Sequence, residues 1–448
     1  MDKKTRRSVG ESRLNSERSW DEIDRASLQW VFVLTSILLT LSGAACEADS
    51  KSRSPAADSN PDVAGRETQA EDWFVEGLRA YNGRGVTRDT KEAIRWYSKA
   101  AELGSVNAQY NLALCYLAGE GVDANPAEAV RLLRLSADAG SALSQYALGT
   151  CYQDGTGVDR DAKVAVQLFH RAAASGQRGA QFQLGNCYAS GSGLEKNQAI
   201  ALEWYQKAAK QGHLWAQFNA SLLLDTGEAG RRDLPAAIEN LKASAAGGFD
   251  QAQFNLGRFY DDGYGVETNQ FLAVQWYRKA ADQGFAVAQS TLAMCYWIGH
   301  GVAADRKIAR QWYQRAADQG DTEGQHMMGV IESEASGTRE SQEAAIKWFR
   351  LAADQGYPKS QYALGLAMSS GKGMAVDLVG AAKCFEQAAL QGFAPAQITV
   401  GFAYWKGIGI PKDFTRARRW LAEAAKSSDR KCAELGRKAL SELEAQRR

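Results

Sequence analysis

The stretch NAQYNLALCYLAGEG, residues 107–121, returns as WAQFNASLLLDTGEAG at 215–230 and as DQAQFNLGRFYDDGYG at 250–265. Its glutamine sets the register, because Gln109, Gln145, Gln181, Gln217, Gln253, Gln289, Gln325, Gln361 and Gln397 are spaced 36 residues apart. A glycine keeps the same interval at Gly104, Gly140, Gly176, Gly212, Gly248, Gly284, Gly320, Gly356 and Gly392. A fixed period of this length marks a repeat array. Length alone would suggest about three domains, but ten units fit between about residue 68 and residue 427.

Within the unit that follows Gly104, Ala108, Leu112, Cys115 and Tyr116 recur at i, i+4, i+7 and i+8, one face of an α-helix. This is helix A. The GEGV that follows supplies a tight turn with glycines free to take positive φ, and Pro126 suits the first turn of a second helix. Helix B is clearest in AIALEWYQKAAKQG, residues 199–212, where Ala201, Trp204, Tyr205, Ala208 and Ala209 form one face and Gly212 closes the helix. Each hairpin alone exposes its apolar face, so neighbours must stack, which predicts a solenoid.

Composition agrees with an all-α chain: 43 glycines, only 7 prolines and 45% apolar residues. With 53 basic and 52 acidic side chains and a formal net charge of +1, there is no nucleic-acid footprint.

The pattern A-Q-aromatic-x-L-G-x-x-Y-x-x-G-x-G-V, followed by A-x-x-W-Y-x-K-A-A-x-x-G, resembles the Sel-one-like repeat family, a relative of the tetratricopeptide repeats, over about 360 of the 448 residues. The resemblance implies a right-handed superhelix of helix pairs that serves as a protein-interaction scaffold, often secreted or membrane-tethered. Two units depart from the pattern in both the tyrosine and the turn. One has Leu224 for the motif tyrosine and the turn TGEAGRRD; the other has Glu332 and the turn SEASGTRE. Some cysteine-rich members are described as binding or hydrolysing β-lactams, and their repeats carry paired cysteines. Here Cys115, Cys151, Cys187 and Cys295 share a helix A position, but alanines such as Ala100 and Ala101 stand where helix B partners would be. A cell-wall or β-lactam-directed hydrolase is therefore the alternative to a scaffold.

The remaining conspicuous residues have structural expectations. The glutamines are expected to bond turn backbone, Trp96, Trp204, Trp276, Trp312, Trp348 and Trp420 to fill the inter-repeat core, and the cysteines to act as buried apolar thiols. His170, His213, His300 and His326 occupy different repeat positions and make no ligand spacing. No P-loop, dinucleotide fingerprint or G-x-S-x-G is present. The expectation is no metal, no cofactor and no catalytic residue.

Residues seven, ten and fourteen after each closing glycine form a second, variable stripe on helix A. It is polar at Thr150, Asp154, Gln183, Asn186, Asn219, Asn255, Arg258 and Asp262, and apolar at Met294, Ile298, Met327, Val330, Leu366 and Phe402. This stripe is the candidate binding site, on the concave face, for a protein or peptide partner; the alternative is that its polar run is solvated surface and its apolar run packs against the next turn or the end cap.

The N-terminus is different. Residues 1–25 carry seven basic and six acidic side chains and read as a disordered polar leader. From Ala26 to Cys46 there is no charge, and WVFVLTSILLTL at 30–41 is followed by SGAAC. Residues 26–46 thus read as a signal peptide, a lipoprotein signal or a membrane anchor, with Cys46 as the lipidation candidate. A lipoprotein signal expects a branched apolar residue three places before its cysteine, whereas Leu41 is five before. Residues 47–69 read as a flexible tether, 70–427 as the array and 428–448 as a capping helix. Export or anchoring predicts an extracytoplasmic, membrane-tethered protein.

Overall fold

The structure, a computed structural model, describes residues 61–335 and 337–446. The described residues form 21 helices and fall into two compact units, Met1–Gln211 and Gly212–Arg448. The first unit holds α1 (Pro61–Asn82), α2 (Thr90–Glu102), α3 (Val106–Ala118), α4 (Pro126–Asp138), α5 (Ala142–Asp154), α6 (Ala162–Ala174), α7 (Arg178–Ser190) and α8 (Gln198–Lys210). The second holds α9 (Leu214–Thr226), α10 (Leu234–Ala246), α11 (Asp250–Asp262), α12 (Gln270–Asp282), α13 (Ala286–Ile298), α14 (Arg306–Asp318), α15 (Thr322–Ala335), α16 (Arg339–Asp354), α17 (Pro358–Ser370), α18 (Leu378–Leu390), α19 (Ala394–Lys406), α20 (Phe414–Ala424) and α21 (Arg430–Ala445). Odd-numbered helices up to α19 are helix A of a repeat and even-numbered ones are helix B. Within each unit, every helix packs on its neighbours in sequence, the nearest-neighbour pattern of a solenoid.

The boundaries follow from short-range chemistry. Helix B is capped by an Asp or Asn recurring every 36 residues, at Asp89, Asn125, Asp161, Asn197, Asp233, Asn269, Asp305, Asp377 and Asp413. Each side chain accepts a hydrogen bond of 2.8–3.1 Å from an amide of the first turn. The exception is the unit with the SEASGTRE turn, where the register position is Ser341. There Thr338 takes over as cap, so α16 starts earlier and runs for 16 residues. In the other irregular unit, Leu224 is buried in place of tyrosine and Asp233 still caps α10.

Helices A and B of one repeat approach closely because helix A usually carries a glycine where helix B carries a large side chain. A Cβ placed on Gly149 would lie 2.6 Å from the Phe169 ring, on Gly257 2.7 Å from Tyr277, and on Gly365 2.6 Å from Phe385. These rings are buried, with Phe169 fully enclosed. Where the helix A position is Ala113 or Ser221, the helix B position holds the slimmer Leu133 or Leu241. Ala293 is the one alanine paired with a ring, Tyr313.

Consecutive repeats are joined by the glutamines. Nε2 of Gln109, Gln145, Gln181, Gln253, Gln289, Gln325, Gln361 and Gln397 donates to a carbonyl near the end of the preceding helix B, at 3.1–3.4 Å. The expected structural role is thus what the geometry shows. In five repeats, a second glutamine at the end of helix B completes a ladder. Gln211, Gln283, Gln319, Gln355 and Gln391 donate to Oε1 of Gln181, Gln253, Gln289, Gln325 and Gln361 at 2.7–2.9 Å. Gln145 has Ser175 at that position, and its Oε1 is buried without a partner.

Three expectations change or fall outside view. Residues 61–69, read as the end of the tether, are helical in α1, with Pro61 at its first position and Ala70 and Phe74 buried below. Residues 65–69 are exposed and burial begins at Ala70, so these residues carry no apolar pattern to read. Of the repeat tryptophans, Trp312 is buried, but Trp96, Trp204, Trp276, Trp348 and Trp420 are half-buried. They pack one face inward while cations cover several indoles, Lys99 at 4.4 Å, Lys207 at 3.8 Å and Lys279 at 3.8 Å. The leader at 1–25, the apolar segment at 26–46 with Cys46, and 47–60 lie outside the described residues. Among those described, no helix is long and apolar enough to cross a membrane.

After the tenth repeat, α21 packs against α19 and α20. Asp429 caps it, Ala433, Ala439 and Leu443 are buried, and Trp405 Nε1 donates to Gln446 Oε1 at 3.2 Å.

Two outcomes follow for stability. Gly257→Ala is expected to destabilise by about 1–3 kcal/mol through overpacking, partly offset by about 1 kcal/mol of helix propensity. Adding Tyr277→Leu should recover part of that loss, so a double-mutant cycle in urea checks whether the ring contact sets the hairpin spacing. Ser175→Gln supplies the missing donor to Gln145 and should raise the urea midpoint by the equivalent of about 0.5–1.5 kcal/mol; an unchanged midpoint would show that the ladder adds nothing there.

Candidate functional site

The variable stripe divides between the two units. In the first, it forms an internal network. Thr150 Oγ1 donates to the Tyr146 carbonyl at 3.1 Å, Asn186 Nδ2 to Gln183 Oε1 at 3.0 Å, and the Tyr205 hydroxyl to Asn186 Oδ1 at 2.8 Å. Burial opposes ionisation of the Tyr146 hydroxyl, whereas the Gln183 side chain favours the ionised form. Gln183 and Asn186 thus spend part of their hydrogen-bonding capacity within the fold. Asp154, half-buried at the end of α5, has its carboxyl pushed above the ordinary range by burial, with Arg160 pulling it back.

In the second unit, Asn219 and Asn255 are half-buried, while Arg258 and Asp262 are exposed. Met294 is half-buried with its sulfur 3.6 Å from the Tyr313 hydroxyl, and Ile298 is 62% exposed. Met327 and Val330 pack against buried clusters, but Leu366 and Phe402 come together. They border a groove of about 210 Å³ between α17, α18 and α19, floored by Ala381, Ala382 and Phe385 and rimmed by Leu378 and Ile408. Its polar lining is already satisfied: Thr399 Oγ1 donates to the Pro395 carbonyl at 2.9 Å, and Ser369 Oγ to the Leu366 carbonyl at 3.0 Å. The groove therefore offers an apolar wall.

Gly409 makes that wall possible. Its φ is +73°, and a side chain there would collide with the Leu378 backbone, so the turn lies directly on the start of α18 and holds Ile408 at the rim. Phe385, Leu378 and Ile408 were not singled out from sequence. One signal was available: Ile408 is the one aliphatic residue at a position that elsewhere holds a charged, polar or ring side chain, such as Arg84, Glu120, Thr156, Tyr264, His300 or Lys372.

The reactive residue types are committed elsewhere. Cys115, Cys151 and Cys295 are buried thiols pushed up to about 12, and Cys187 to about 11, chiefly by burial. His170 packs edge-on against Tyr188 and Trp204, and His213 caps α9. His300 Nε2 meets Asp261 Oδ1 at 2.5 Å, and the Tyr277 hydroxyl donates to the other carboxylate oxygen at 3.3 Å. His326 Nδ1 lies 2.9 Å from Ser360 Oγ, but Ser360 is fully buried, which keeps a substrate from the hydroxyl.

Burial, with Lys359 adding, lowers His326 to about 4. A folded-state value below the unfolded one means that the unfolded chain takes up the proton first, so this site costs stability as pH falls from about 6.5 towards 4 and nothing above that window. The loss is at most about 3 kcal/mol. His326→Asn, which keeps an acceptor or donor towards Ser360, should flatten the dependence of the urea midpoint on pH between 6.5 and 4.5 relative to wild type.

The Sel1 repeat family model matches the chain ten times, at residues 77–105, 106–141, 142–177, 179–213, 216–249, 250–285, 286–321, 322–357, 358–393 and 394–429. Among solved structures, a protective antigen present in uropathogenic Escherichia coli strains and displaying an SLR fold is 34% identical. That match covers 86% of this chain and 81% of the antigen, with a TM-score of 0.74. A Sel1 repeat protein from Oxalobacter formigenes is 28% identical over 55% of this chain and 96% of its own, with a TM-score of 0.48. No curated protein matches. With ten consecutive matches over most of its length, the chain belongs to the Sel1 repeat family, as an all-α solenoid of ten such repeats.

Proposed function

We propose that this chain is a non-enzymatic scaffold, tethered to a membrane outside the cytoplasm, that binds a segment of a partner protein on the exposed side of its A helices. Sel1 repeat proteins are generally protein-interaction scaffolds, and stacked repeats present an extended surface suited to that work. The observation that carries the reading is the apolar groove bordered by Leu366 and Phe402, because an exposed apolar recess on a folded chain is a common mark of a recognition site. The uncharged segment 26–46 supports export or anchoring. A 34% identical protein described as a protective antigen is in keeping with display outside the cytoplasm.

Three measurements test this. Protease added to spheroplasts should cut the repeats while a cytosolic control survives, and full protection would overturn the location. Cross-linking in intact cells should capture a partner with the wild-type chain and lose it with Leu366→Asp plus Ile408→Asp, two exposed positions whose change should leave helical content, checked by circular dichroism, unaltered. Covalent labelling of the purified chain by a fluorescent penicillin would overturn the non-enzymatic reading.

A further inference from the structure

The groove between α17, α18 and α19 differs from its surroundings in charge as well as polarity. Val376 and Val379, which precede and follow the rim residue Leu378 in sequence, are 61% and 54% exposed. Three lysines stand on the adjoining turns. Lys372 follows Ser369 by three residues, Lys406 lies at the end of α19 beside Ile408, and Lys412 folds over Gly407. All three are exposed, and none has a carboxylate within ion-pair distance among the described residues. Lys406 instead rests on the Trp405 ring at 4.2 Å. The neighbouring acids are engaged: Asp377 accepts from the Gly380 amide at 2.8 Å and Asp413 from the Arg416 amide at 2.9 Å. A carboxylate at a helix N-terminus is partly offset by the helix dipole, so the segments beside the recess, with Lys372, Lys406 and Lys412 against Asp377 and Asp413, carry a net positive charge.

We infer that this groove receives one large aliphatic or aromatic side chain of a partner segment whose flanking residues are acidic. The inference rests on the scaffold reading and adds the chemistry of the partner. The volume, about 210 Å³, suits one such side chain; an engineered cavity of about 150 Å³ is enough to hold a benzene ring. A floor of Ala381, Ala382 and Phe385 with no free polar group rejects a sugar or a polar side chain, since each would leave its own hydrogen bonds unmade. The three lysines favour carboxylates on either side and disfavour a basic segment.

The test uses the full chain in nanodiscs of neutral phosphatidylcholine and three fluorescent peptides, Asp-Glu-Phe-Glu-Asp, Asp-Glu-Ser-Glu-Asp and Lys-Lys-Phe-Lys-Lys, followed by anisotropy. The acidic phenylalanine peptide should bind saturably and at least tenfold more tightly than either control. Raising salt from about 50 to about 300 mM should weaken it several-fold, because exposed charges are screened. Ile408→Asp should abolish binding. The triple variant Lys372→Glu, Lys406→Glu, Lys412→Glu should weaken the acidic peptide at least tenfold and improve the basic one, a reversal that loss of folding cannot produce. Equal binding of both phenylalanine peptides, or none by the acidic one, overturns the inference. So does binding of anionic phosphatidylglycerol vesicles that the peptide does not displace, which would make the patch a lipid contact. If peptide preference is absent while Leu366→Asp plus Ile408→Asp still loses cross-linked partner in cells, the scaffold reading stands and only the acidic chemistry falls.

Discussion

Within each hairpin, the separation of helix A from helix B is set by a side chain of helix B seated on a small residue of helix A. Phe169 over Gly149, Tyr277 over Gly257 and Phe385 over Gly365 leave no room for even a methyl group at its ideal position. The ring is the largest buried side chain of its hairpin contact, while the glycine forgoes helix propensity to admit it. Leucine opposite Ala113 and Ser221 keeps the total volume similar, the expected compensation in a close-packed interior. The rest of the repeat is built outward from this contact.

The second requirement is that successive hairpins meet in one register without leaving polar groups stranded. Apolar contact alone would tolerate sliding. The glutamine amides prevent it, because each must find a particular carbonyl of the preceding helix B while buried from water. Where a second glutamine ends helix B, both ends of the amide are satisfied; at Gln145, with Ser175 in that place, one is not. Polar side chains at the core of this fold therefore serve the joints between repeats. Histidines, cysteines and much of the polar stripe in the first unit serve the fold in the same way, through caps, ring contacts and internal bonds.

The proposed recognition surface lies at other positions. In the C-terminal repeats, the turn residue Ile408, Leu378 at the start of α18 and the stripe residues Leu366 and Phe402 converge on a recess, while Phe402 also stacks on Trp405. Gly409 brings this about by letting its turn rest on the next helix start, a contact that belongs to the repeat and acquires a different meaning when its neighbours are apolar.

The sequence by itself determined the period, the number of repeats, the two helices of each and the structural role of the glutamines, since periodicity, capping chemistry and glycine turns act over a few residues and are written in order along the chain. It did not reveal that α1 begins at Pro61, because most of the apolar support for that helix lies in its second half. Nor did it separate Trp312 from the other repeat tryptophans, which share one sequence position but differ in how much neighbouring side chains cover them. The stripe on helix A was legible as a list of residues. Whether a member of that list faces inward, as Asn186 does towards Tyr205, or opens onto a groove, as Leu366 does beside Phe402, was decided by the tertiary structure, because it depends on side chains brought in from the partner helix and from adjoining repeats.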